Sequence, residues 1–210
     1  MIFENIFKMA DTSTPRPTPT IPSGGFFSAY AEATVMAPPS TVYNALIDTS
    51  IWGDWNSFVP SVTIVKRSDD EADSIDPGIK KDMVLSFEVN MTPSMTTNSK
   101  EIVTHVDECP SGLQPGRITR INWIMDNKGS FTPKFILAAE RVNEIEDLGD
   151  GTCIYRSWET FAGLAARIVK WKFGQALQKN FENWVTGIQQ YAQEQEQRAK
   201  DRDAAVELPA

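Results

Sequence analysis

The chain has 210 residues, 41% of them hydrophobic, enough to bury one sizeable core in a single domain. Its 20 basic and 28 acidic residues leave a net charge of -8. That balance argues against nucleic acid or an anionic membrane surface as partner, though it leaves room for a local basic patch. A single histidine, His105, makes a histidine-based metal site or a Ser/Cys–His catalytic device hard to build, and neither a metal nor a cofactor is called for.

No stretch approaches the ~20 apolar residues that a membrane span requires. The opening Met1–Ala10 is mildly apolar but is interrupted by Glu4 and lacks a small-residue cleavage site, so it reads poorly as a signal peptide. Two cysteines, Cys109 and Cys153, lie far apart without metal-type spacing, as expected of reduced thiols in an intracellular protein. A soluble, cytoplasmic protein is the expectation; the sequence sets no oligomeric state.

Residues 11–25 are rich in Thr, Ser, Pro and Gly, with Pro15, Pro17, Pro19 and Pro22 in quick succession. Such composition buries little apolar surface, so 1–25 is expected to be a disordered tail and the domain to span 26–197. The polar run from Gln193 predicts a fraying helix end, with 198–210 a flexible tail.

In chain order, Phe27, Ala29, Ala31, Ala33 and Val35 alternate with more polar residues and predict a half-buried strand. Pro38 and Pro39 stop it and suit the start of a helix carrying Val42, Leu46 and Ile47 on one side. A connection rich in tryptophan, Trp52-Gly53-Asp54-Trp55-Asn56, precedes an apolar run from Phe58 to Val65. The cleanest alternation follows: Met83, Leu85, Phe87, Val89 and Met91 against Val84, Ser86, Glu88 and Asn90. Further strands are predicted at 100–108, 117–126, 135–146 and 152–161. Short turns at Pro110-Ser111-Gly112, Asn127-Lys128-Gly129 and Gly149-Asp150-Gly151 imply antiparallel neighbours.

From Gly163 the period lengthens. Leu177, Phe181, Trp184, Ile188 and Tyr191 recur at steps of four and three, with Leu164, Ile168 and Trp171 as the start of the same stripe. The predicted architecture is α+β: a curved antiparallel sheet of about seven strands wrapped around a long C-terminal helix.

Four places carry a resemblance. They are Val35-Met36-Ala37-Pro38-Pro39-Ser40-Thr41-Val42, Asp48 through Trp55-Asn56, Glu140-Arg141, and the run Tyr155–Gly163 leading into the final helix. In this order they resemble the helix-grip, or START-like, superfamily, which includes polyketide cyclase/dehydratase-like and coenzyme Q-binding-like domains. The likeness spans about residues 26–195. It implies a fold with an internal cavity, and no shared catalytic set, because members range from carriers to cyclases.

A sheet gripping a helix leaves a cavity suited to a small, largely apolar molecule, lipid-like or polyketide-like. The candidate lining is Phe87, Met91, Trp123, Phe135 and Leu137 from the strands and Trp171, Phe173 and Leu177 from the helix. The same side chains would equally fill a core. Polar residues in phase with an apolar face are more telling, since an unpaired buried charge is costly.

Arg141 is in phase with Phe135, Leu137 and Ala139, and Glu159 with Tyr155 and Phe161. A three-residue hairpin turn at 149–151 would set Arg141 opposite Glu159, as a structural pair, an outward one, or a polar anchor or general acid facing the cavity. His105, two residues from Asp107, is a third candidate for catalysis. Its strand's other face (Ile102, Thr104, Val106) looks the better core set, however, and so places His105 toward solvent. The sequence leans to a binding module, with a polyketide cyclase/dehydratase-like enzyme of secondary metabolism using the same cavity as the alternative.

Overall fold

The computed structural model describes residues 14–66, 78–128 and 132–206. Within them the order is β1 (Phe27–Val35), α1 (Pro39–Ile47), a 3-10 turn (Thr49–Ile51), α2 (Trp52–Trp55), β2 (Ser61–Lys66), β3 (Val84–Thr92), β4 (Met95–Val106), β5 (Ile118–Met125), β6 (Ala138–Asp147), β7 (Cys153–Ala162) and α3 (Ala166–Val206). The strands form one antiparallel sheet in the order β1-β7-β6-β5-β4-β3-β2. After β1, each strand from β2 to β7 pairs antiparallel with its sequence neighbour, as expected of consecutive strands, and β7 also pairs with β1. Helix α3 lies across the concave face and buries Ala166, Leu177, Phe181, Trp184, Val185, Ile188 and Ala192.

Local chemistry explains the boundaries. Pro39 opens α1, where a missing N–H costs nothing. In the β6–β7 hairpin, Gly149 and Gly151 take left-handed conformations and Asp150 accepts from the Thr152 N–H and hydroxyl, which sets the register. Arg141 stands opposite Glu159, as the three-residue turn predicted. At the turn into α3, Gly163 has φ +94°, and a Cβ there would come within 2.7 Å of the Ile136 carbonyl oxygen. A glycine is required there by both backbone conformation and space.

Four expectations are corrected. The strand expected from Phe135 begins at Ala138: the N–H groups of Ile136 and Leu137 both donate to the Pro133 carbonyl, and this turn swings Phe135 out to 69% exposure. On α3, the inward stripe before Leu177 runs through Phe173, Val169 and Ala166. Trp171, Ile168 and Leu164 face solvent, because stepping back from 177 by a helical turn reaches 173 rather than 171. The helix also continues past 197 to Val206, though nothing beyond Ala192 is buried among the described residues.

The fourth correction concerns the N-terminal tail, of which residues 1–13 lie outside the described residues. From residue 14 onward the chain is a packed strap across the convex face. Thr160 donates to the Arg16 carbonyl (2.6 Å), Arg16 N–H to Ser28 (2.8 Å) and Trp158 Nε1 to the Pro17 carbonyl (3.2 Å). Thr18 and Ile21 are buried. The prolines that suggested disorder restrict the unfolded strap, and that lowers the entropy lost when it docks.

Candidate functional site

The concave face is read most directly along rows of paired residues, which project side chains to one side of the sheet. One row is Val103, Trp123, Arg141, Glu159 and Ala29; beside it run Leu85, Glu101 and Met125. On the other side of the first row, Ile121, Asn143, Ser157 and Ala31 line up. The middle of the face is therefore polar within an apolar surround. Arg141, Glu101, Asn143 and Ser157 are buried, and Glu159 is half-buried.

Arg141 is held from two sides. Its guanidinium carbon lies 3.7 Å from the Trp184 ring centre, 4.3 Å from that of Phe181 and 5.6 Å from that of Trp123. These are cation–π distances inside a desolvated site. Its Nε donates to Ser157 Oγ at 3.1 Å, while Nη2 is buried without a hydrogen-bond partner. A chain of bonds fixes the surroundings. Trp184 Nε1 donates to the Tyr155 hydroxyl (2.7 Å), Tyr155 and Ser157 donate to Asn143 Oδ1 (2.7 and 2.9 Å), and Asn143 Nδ2 donates to the Ile121 carbonyl (3.0 Å). One tryptophan thus ties the long helix to the polar centre of the sheet.

The carboxyls balance the arginine without closing on it. Glu159 forms no direct ion pair with Arg141, but the guanidinium partly offsets the burial that raises the Glu159 pKa to about 7. Glu101 receives a hydrogen bond from the Ser99 hydroxyl. Burial, and then the charge of Glu159, push Glu101 up to about 8. Burial also lowers the pKa of Arg141, which its neighbours Tyr155, Glu159 and Glu101 counteract. One arginine beside two carboxyls is neutral only when a single proton is held between them, and a low-dielectric site favours that composition. Near neutral pH the cluster therefore offers a carboxylic acid and a carboxylate together.

The sequence candidates divide around this cluster. Phe87, Trp123 and Leu177 are buried in the core, and Met91, Leu137 and Phe173 are half-buried against it. Phe135 and Trp171 point outward and belong to neither cavity nor core. His105 is exposed and bonds Asp107 (2.8 Å), which agrees with the solvent-facing expectation but for a different reason. A bulge after Val103 shifts the register, so Glu101 and Val103 face inward while His105 faces out. That bulge hid Glu101 from sequence reasoning, and its pairing with Leu85 on the inward face emerges only from the structure.

Near Trp184 the interior is filled: Trp52, Trp55, Phe87, Trp123 and Trp184 make ring contacts with centres 5.0 to 6.3 Å apart. Toward the start of α3, by contrast, Glu159, Ser99, Met91, Leu137, Val169 and Phe173 are only half-buried at the grip between sheet and helix. A separate cleft of about 520 Å³ opens between α1 and the far half of α3, lined by Thr41, Asn44, Asp48 and Tyr191.

Sequence comparison finds the oxopyrrolidines biosynthesis cluster protein O of Penicillium oxalicum, 30% identical over 176 residues, which span 78% of this chain and 84% of that protein. The chain belongs to this protein's family. No protein-family model matches the sequence. Among solved structures, a hypothetical protein of Helicobacter pylori superposes with a TM-score of 0.64 at 16% identity, over 87% of this chain and 99% of that one. The Zhui aromatase/cyclase of Streptomyces sp. R1128 follows at 0.56 and 13% identity, covering 79% and 92%. Norcoclaurine synthase of Thalictrum flavum, in complex with a transition-state analogue, gives 0.54 and 13% identity, covering 80% and 95%. The fold of this family member is the helix-grip, START-like fold.

Proposed function

We propose that the protein binds a largely apolar, carbonyl-bearing biosynthetic intermediate between the sheet and the first half of α3, and acts on it by acid–base catalysis, closing a ring or removing water. The observation that carries this reading is the Arg141–Glu159–Glu101 cluster, one cation with two carboxyls whose pKa values are raised toward neutrality in a polar centre with an apolar surround. The relative from an oxopyrrolidine biosynthesis cluster and the aromatase/cyclase fold neighbour support a place in small-molecule biosynthesis. Sequence alone leaned to a binding module; Glu101 moves the balance to chemistry.

The assignment of roles follows from access. Glu159, the least buried member, takes a proton from the acidic carbon between two carbonyls, and the free Nη2 of Arg141 stabilises the enolate oxygen that forms. The enolate carbon bonds to a second carbonyl of the same molecule. The resulting alkoxide takes a proton from the protonated carboxyl pair. Loss of water then needs one further carbon proton removed and the hydroxyl protonated, which the same pair supplies and recovers. The aromatic surround folds the chain so that its carbonyls meet, which is where most of the acceleration originates.

The test incubates the protein with a short poly-β-ketothioester and with a β-ketoamide, following products by mass spectrometry. Wild type is expected to give cyclic product with loss of water, and Glu159→Gln to lower its rate about 100-fold or more. Binding of Nile red, a neutral apolar dye, should be unchanged. Dye binding with no turnover of either substrate would return the protein to the carrier class.

A further inference from the structure

An apolar patch with a basic rim covers the outer side of the junction between β7 and α3. Trp171 is 85% exposed, Leu164 72%, Phe135 69% and Ile168 62%. They are contiguous: Ile168 and Trp171 lie one turn apart on α3, Leu164 sits in the turn feeding that helix, and its N–H donates to the Phe135 carbonyl at 3.1 Å. Large apolar side chains this exposed, side by side, are unusual on a protein surface and mark an interaction site.

The charges along the helix that carries Ile168 and Trp171 have one sign. Between Glu159 and Glu182 the sequence contains no acid, while it contains Arg167, Lys170, Lys172 and Lys179. Arg167, Lys170, Lys172 and Lys134 are all exposed. Arg167 and Lys170 also flank the ring of Phe26, at 5.4 and 5.5 Å from its centre. In a chain of net charge -8 this is a local reversal, and the overall charge hides it.

We propose that this patch docks the protein on an anionic lipid bilayer, with Trp171, Leu164, Ile168 and Phe135 entering the headgroup region and the basic residues meeting the lipid phosphates. Three observations favour a bilayer over other occupants. The apolar residues protrude from a convex helix face and turn rather than line a groove. An exposed tryptophan ringed by lysines is the composition that partitions to membrane interfaces. The chain's own residues 1–13 hold two acids and one lysine, too little negative charge to match the rim. Docking here is independent of the proposed chemistry, since none of these residues belongs to the polar cluster.

The test is co-sedimentation of the full chain with phosphatidylcholine vesicles, with and without phosphatidylserine. Binding is expected only to the mixed vesicles, falling as salt rises. Brominated lipid should quench wild-type fluorescence more than that of Trp171→Ser. The pair Lys170→Glu/Lys172→Glu should weaken binding roughly thirtyfold or more, and Ile168→Ser/Trp171→Ser should abolish it. Both pairs should keep the wild-type circular dichroism spectrum, since all four side chains are exposed. Phe3→Ser/Phe7→Ser should bind as wild type. No sedimentation with mixed vesicles, binding indifferent to the α3 pairs, or binding lost in the Phe3/Phe7 variant would each overturn the proposal.

Discussion

A buried guanidinium persists where its charge is met by rings, hydrogen bonds and opposite charges at once, and Arg141 has all three. The consequence is a pH dependence with a definite sign. Glu101 has an ordinary value of 4.5 and is raised to about 8 by burial and then by Glu159. The folded protein therefore holds a proton that the unfolded chain releases above about pH 4.5, so rising pH favours unfolding. Stability should be highest near pH 5 and fall toward about pH 8, Glu101 alone contributing a slope of up to ~1.4 kcal/mol per pH unit and Glu159, raised to about 7, adding to it with the same sign. Glu101→Gln cannot ionise, so its Tm should be flatter across this range and higher than wild type at the alkaline end. Calorimetry across the window checks this; a wild-type Tm that climbs from pH 5 to pH 8 would mean the carboxyls are ionised in the fold.

Among the elements, α3 offers a paired experiment in which the same substitution has opposite signs. A helix-interior glycine costs roughly 0.5–1 kcal/mol relative to alanine when nothing else depends on it. At Gly174 an added Cβ would meet only the Lys170 Cγ, at an ordinary 3.5 Å, so Gly174→Ala should stabilise by about that amount. At Gly187 it would overlap the Trp55 carbonyl oxygen where α2 crosses α3, so Gly187→Ala should destabilise by roughly 1–3 kcal/mol despite its better propensity. Chemical denaturation of the two variants reads the difference.

The strap over the convex face allows a further test. Thr20 donates its N–H and its hydroxyl to Glu140 Oε2, both at 2.6 Å, and Oε1 of this buried carboxyl has no partner. Thr20→Ala removes one of the two bonds to a charged acceptor and should cost about 1–2 kcal/mol in the same measurement. Thr20→Ser keeps the hydroxyl and should stay within about 0.5 kcal/mol of wild type. Equal losses in the two variants would assign the effect to the missing methyl rather than to the bond.

For the molecule as a whole, the antiparallel pairing of consecutive strands, the β6–β7 register and the gripping helix were legible because each follows from local rules: alternation, short turns and a long 3.6-residue period. The candidate site was legible only in part. Arg141 and Glu159 could be aligned by counting outward from one hairpin, whereas Glu101 depends on a bulge and on a strand pairing that no local pattern marks. The strap failed for a related reason. Its prolines look like disorder until the outward polar row Ser28, Thr160 and Glu140 is assembled from three strands.

The same layout predicts how stability is distributed along α3. Its first half packs through half-buried side chains such as Val169 and Phe173, and its middle is locked by Trp184. Beyond Ala192 the one tie to the rest of the fold among the described hydrogen bonds is Gln193, whose side-chain oxygen accepts from the Met36 N–H (3.1 Å); further on, pairs such as Glu194–Arg198 and Glu196–Lys200 act within the helix, each worth a few tenths of a kcal/mol. In hydrogen exchange, 193–206 should therefore exchange first and 181–192 last. Adding Nile red should slow exchange over 166–181 and leave 193–206 unchanged, because a molecule held against Phe173 and Leu177 stabilises the segment that encloses it. Protection appearing instead around Thr41, Asn44 and Tyr191 would place the bound molecule in the cleft beside α1, and would separate binding from the Arg141 cluster.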